Sequence, residues 1–210
     1  MTMRKLLEYG GLLAGIVLIA FGIGALWLSF DARSTVQDEL AREQIVGGDD
    51  MSPAGIQPGI DEAGLAVSAP DCDVAGEEID TGDEARCFSQ YMRIHALESS
   101  GGLTYAQMGR FLAADDPENP AGTSDEAAAL TDEEGNPVSN QARNTWVTET
   151  ALSTALNLSY MAEQLALFGI VVGIALILAG IGFLVLALGG ALRHSETAAA
   201  MDTKKAATAT

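Results

Sequence analysis

The chain has 210 residues, 48 % of them from the hydrophobic set, and a formal net charge of −18 at pH 7. Its 29 Asp and Glu against 11 Lys and Arg would repel nucleic acid and anionic lipid headgroups, which excludes both as partners of the acidic part. The apolar residues are concentrated in two long runs, and this placement excludes an ordinary soluble domain.

A short tail, residues 1–8, carries Arg4 and Lys5 and leads into Tyr9–Phe30, an uncharged stretch of 22 residues. A second uncharged run covers 164–192, and a tail at 193–210 holds Arg193, Lys204 and Lys205. Each run exceeds the roughly 20 residues needed to cross a ~30 Å hydrocarbon core. The segment between them, 31–163, contains 26 of the acidic residues, six arginines and no lysine. Basic flanks face the cytoplasm, so both termini are expected there and the central segment outside, in a plasma membrane. The first run is longer than a cleavable signal core and ends without a small-x-small site, and so reads as an uncleaved anchor.

The two spans resemble each other. Gly11–Leu28 and Gly169–Leu186 share ten identities in eighteen ungapped positions. Gly11, Gly15, Gly22 and Gly24 match Gly169, Gly173, Gly180 and Gly182. Glycine at this spacing lets a second helix backbone approach closely. An antiparallel hairpin would bring Gly22 and Gly24 level with Gly169 and Gly173, and Gly11 and Gly15 level with Gly180 and Gly182. Neither run contains Asp, Glu, Lys, Arg or His, which argues against a pump, transporter or proton channel.

The central segment divides by composition. Residues 31–46 read as a helical continuation of the first span, with a Thr35/Asp38 capping pattern and a stop at Gly47-Gly48. Residues 47–82 read as an irregular acidic loop. Residues 83–112 read as a helical hairpin, its second helix opened by a Thr104/Gln107 capping box. Residues 113–139 read as an acidic surface loop with three prolines. Residues 140–163 read as a stalk helix running into the second span, with Trp146, Leu152, Leu156 and Tyr160 as its inward stripe. The tail from 193 reads as disordered. The fold class is an all-α membrane protein: a transmembrane hairpin with helical stalk extensions and a small, partly irregular, acidic outer region.

Cys72 and Cys87 are the only cysteines. Outside the cytoplasm an even pair reads as a disulfide. A redox or metal pair is the alternative, without CxxC spacing or a nearby histidine to favour it. His95 and His194 fall on opposite sides of the membrane in this topology, so no iron or zinc site assembles from them. The stretch from Asp71 to Gly82 begins like a calcium loop but has Gly82 where the bidentate Glu belongs. Weak binding of calcium or magnesium by Asp71, Asp73, Glu77, Glu78 and Asp80 stays open. No phosphate loop, dinucleotide fingerprint or nucleophile elbow occurs, so no catalytic residue and no cofactor are assigned.

The stretch WVTETALSTALNLSYMAEQLA, Trp146–Ala166, resembles two-span membrane proteins of actinobacteria, some of which carry the label aromatic ring-opening dioxygenase. The resemblance implies two spans with an external helical region and no established activity. The dioxygenase label conflicts with the residues, which supply no clustered iron ligands. The expected function is a non-enzymatic accessory or scaffold protein. Its spans would pack laterally in the lipid bilayer, against a membrane partner or a second copy, and its acidic outer domain would bind a partner. The alternative is a homo-oligomeric pore with an acidic, cation-attracting vestibule.

Overall fold

The computed structural model describes residues 3–188, with side chains from Glu8 onward. The tail 193–210 and the end of the second apolar run lie outside the described residues. Four α-helices follow in order: α1, Met3–Arg42; α2, Pro53–Glu62; α3, Gly82–Ser99; and α4, Gln141–Leu188. Among the described residues there is no β-strand, only isolated bridges. The chain forms two compact units.

The first unit comprises the chain up to Arg33 and from Leu165. Within it the apolar parts of α1 and α4 pack as an antiparallel helical pair. Both are long and apolar enough to cross a membrane, with mean hydropathy of 2.4 and 2.9 in their most apolar windows. Only 11 % and 17 % of those windows are buried. A core helix of a soluble protein hides most of its apolar surface, and these helices leave theirs uncovered.

The second unit is Ser34–Gln164. Its main core joins Leu40 of α1, Ile56 and Ile60 of α2, Met51, Val74, Ile79, four residues of α3 including Tyr91, and Leu156 of α4. A second cluster gathers Ala96, Leu97, Met108 and Trp146. The Cys72–Cys87 disulfide, with Cα atoms 6.0 Å apart, ties the 63–81 segment to α3. The buried Tyr91 hydroxyl donates to the Cys72 carbonyl at 2.5 Å.

Several elements differ from the sequence expectation. The helix continuing the first span ends at Arg42, short of Val46, and Gln44 adopts a left-handed φ of 51°. No helix begins at Thr35, since α1 runs through it unbroken. Gly47 is not a helix stop. Its backbone lies so close to the Val74 carbonyl that a Cβ could not be accommodated, and Ile45 accepts a hydrogen bond from Ile79 N–H at 2.9 Å.

The 47–82 segment contains an ordered helix, α2. Ser52 Oγ accepts from Gly55 N–H at 3.1 Å and Pro53 opens the first turn, a combination favourable to helix initiation. Ile56 and Ile60, one turn apart, enter the core.

The expected hairpin at 83–112 is a single helix, α3, followed by one 3-10 turn at Tyr105–Gln107. The Thr104/Gln107 capping box is present, yet Met108 turns extended and the chain enters a bridged region instead. Phe111 pairs with both Thr123 and Ser139, Ala113 with Ala129 and Thr131 with Pro137. Residues 109–140 thus form a backbone-bonded lobe in place of a loose acidic loop. Its closure needs Gly109, whose α-carbon lies against the Thr123 backbone with no room for a side chain. Asn140, wholly buried, fastens this lobe to α4. Its Nδ2 donates to the carbonyls of Gly109 (3.2 Å) and Pro120 (2.8 Å), while its Oδ1 accepts from Arg143 N–H at 3.4 Å.

Candidate functional site

The span glycines separate into those the helix pair uses and those it does not. A Cβ at Gly15 would lie 2.8 Å from Gly180 O, and one at Gly180 2.7 Å from Gly15 O. Gly22 and Gly173 make the same reciprocal approach, at 2.7 and 2.9 Å. Backbone meets backbone at both levels, which only glycine permits. Gly11 instead faces Ala187, and Gly169 faces the Ser29 hydroxyl. Gly24 and Gly182 meet nothing within 4 Å, so the expected pairing fails for them. Each is offset from the contact stripe by two residues, about 200° around a helix.

The contact is two-fold symmetric in sequence terms. A shift of 158 residues carries α1 positions onto α4 positions. Gly15 touches Leu184 and Gly173 touches Leu26; Gly22 touches Ile177 and Gly180 touches Ile19. In each pair of contacts the second follows from the first by that shift, with the helices exchanged. Such reciprocity defines an isologous interface, here within one chain.

In the second unit, α4 presents a seam at three- and four-residue spacing: Trp146, Glu149, Ser153, Leu156, Tyr160 and Glu163. Trp146, Glu149, Leu156 and Glu163 are buried. Leu152, expected on this stripe, is 48 % exposed, at the edge of the seam, about 40° around the helix from Leu156. The sequence reading followed apolar residues and so missed the two glutamates. Glu163 accepts from Gly82 N–H at 2.6 Å and Gln37 Nε2 at 3.3 Å, placing a carboxylate at the N-terminus of α3, where the helix dipole favours it. Glu149 accepts from the hydroxyls of Ser153 (2.8 Å) and Thr150 (3.3 Å).

The start of α3 concentrates acid groups. Thr81 and Glu84 form a reciprocal capping box. Burial pushes the Glu84 carboxyl up, but hydrogen bonds from Thr81 and from the backbone of Asp80 and Thr81 outweigh it and leave it below the usual glutamate range. The negative charge of Glu84 is the main reason that the exposed Asp80 carboxyl lies above its usual range. His95 stands between two carboxylates, Glu98 at 2.9 Å and Asp50 at 3.4 Å. Among the described residues no three His, Cys, Asp or Glu side chains come together to hold a metal ion, and Asp73 is engaged locally by Ala75 N–H at 3.0 Å.

Two of the larger grooves lie on the second unit. One, of about 630 Å³, lies between α3 and α4 beside Arg86 and Arg93, whose guanidinium groups sit over the rings of Tyr160 and Trp146 at 4.6 and 5.1 Å. The other, of about 570 Å³, is framed by the C-terminal end of α1, α3 and α4, and its walls include Ile45, Phe88, Met92 and Leu152. Neither brings a nucleophile beside a base.

No family model, no curated protein and no solved structure matches the chain.

Proposed function

We propose that this is a non-enzymatic accessory or scaffold protein of the plasma membrane. Its two spans pack together in the bilayer, and its acidic unit, outside the membrane, binds a partner protein. Both termini are cytoplasmic, on the side where Arg4, Lys5, Arg193, Lys204 and Lys205 lie. The observation that carries the reading is the pair of apolar helices joined at two glycine levels with most of their surface uncovered. That surface needs lipid or another membrane helix. The disulfide supports an oxidising location for the outer unit.

The test is cross-linking in intact cells, gentle detergent extraction and mass spectrometry of what co-purifies. A stoichiometric membrane partner is expected. Recovery of the chain only with itself would overturn the accessory reading and turn attention to a homo-oligomeric pore, which ion flux through reconstituted protein would then decide.

A further inference from the structure

The apolar groove of the outer unit has walls of the wrong chemistry for bulk water and a rim of one sign. Leu152 stands 48 % exposed over it, and Phe88, Met92 and Ile45 are only partly covered. Glu39 and Glu43 lie at its α1 edge, and no basic side chain lines it. Glu39 is held by Arg42 at 2.9 Å, whereas among the described residues Glu43 has no ion-pair partner. Methionine and phenylalanine side by side form an adaptable apolar floor of the kind that accepts inserted side chains. The volume, about 570 Å³, falls in the ordinary range of binding pockets.

We propose that this groove is the docking site for a basic amphipathic helix of the partner protein, with large apolar side chains seated on Phe88, Met92 and Leu152 and a Lys or Arg beside them facing Glu43 and Glu39. The inference rests on the accessory reading and names the surface and the partner's chemistry. Charge selects the occupant. The segment 31–163 sets 26 carboxylates against six arginines and has no lysine, so a second outer unit would bring like charge to a rim that already carries it. A cationic helix gains both from the apolar floor and from long-range attraction, which raises its association rate.

The experiment uses the full-length chain in phosphatidylcholine nanodiscs and a fluorescent helical peptide with leucine on one face and lysine flanking it. Saturable binding is expected. Leu152→Asp, a change at an exposed position, and Glu43→Lys should each weaken it about tenfold or more, as anchor residues do. Val147→Asp, also exposed and outside the groove, should leave binding unchanged. A peptide with glutamate in place of lysine should not bind. Absence of binding to the wild-type chain, equal binding of the glutamate peptide, or wild-type binding by Leu152→Asp overturns the proposal. Co-purification from cells separates it from the accessory reading. If the Leu152→Asp chain retains its stoichiometric partner, the groove is not the docking site although the accessory reading stands. If the wild-type chain yields no partner, the accessory reading itself falls.

Discussion

Ser100 has no exposed surface and accepts a hydrogen bond from Trp146 Nε1 at 3.1 Å while its hydroxyl donates to Leu103 O at 2.6 Å. Trp146 therefore joins α4 to the end of α3 both by packing and through this chain of polar contacts. Trp146→Ala should destabilise the outer unit by about 3–5 kcal/mol, read from denaturant unfolding. Gln44 shows the reverse case: its left-handed backbone favours glycine, and Gln44→Gly should gain up to about 1 kcal/mol in the same assay. The acid pair at α3 gives a pH signature. Glu84 has its folded pKa depressed, so its contribution is complete above the ordinary glutamate range and is lost as pH falls through the folded value. Asp80, raised mainly by Glu84, works in the opposite sense, weakening the fold as pH rises from the ordinary aspartate range towards its folded value. Glu84→Gln should therefore return the Asp80 carboxyl towards its usual range, as measured by NMR titration. An unmoved Asp80 would mean that Glu84 is not the cause.

Among the elements, the helix pair and the disulfide make separable predictions. Leucine at Gly15 or Gly173 must push backbones apart that now approach at side-chain-free distance. Spin labels at the exposed Leu13 and Val185 should report a longer distance in Gly15→Leu and in Gly173→Leu, and an unchanged distance in Gly24→Leu. Replacing Cys72 and Cys87 with serine opens a loop with a sequence separation of 15 and should cost roughly 3 kcal/mol. The legibility of these elements from sequence follows their physics. Long apolar runs and repeated glycines announce themselves without tertiary context. The helix α2 was also written in the residues, as Ser52-Pro53 followed by Ile56 and Ile60, but two further glycines and Pro58 within the helix masked it. The bridged lobe at 109–140 was not legible, because its isolated pairings join residues such as Phe111 and Ser139 with no alternating pattern to mark them. The groove escaped notice for a related reason: Leu152 shares the four-residue spacing of Leu156 and Tyr160, which places it inward, and only the packing around α4 leaves it at the exposed edge of the seam.

For the molecule as a whole, the two units place different demands on the cell. The outer unit is stabilised by an apolar core and a disulfide, and the helix pair by close backbone contact. Reducing agent should thus loosen the outer unit, seen as faster proteolysis between Asp49 and Asp80, while the Leu13–Val185 spin-label distance stays constant. A change in both would show that the helix pair depends on the outer unit. The partner proposed for the groove would be recognised on the oxidised, folded outer unit, so reduction should also abolish capture of the lysine peptide.

The reciprocity of the helix contact makes the two apolar segments interchangeable partners. Because Gly15 and Gly173 occupy the same position of one repeated unit, as do Gly22 and Gly180, their mutations should come in matched pairs of equal cost. A chain whose residues 169–186 are replaced by the sequence of 11–28 should accordingly still form the hairpin, one sequence meeting its own image across the same surface.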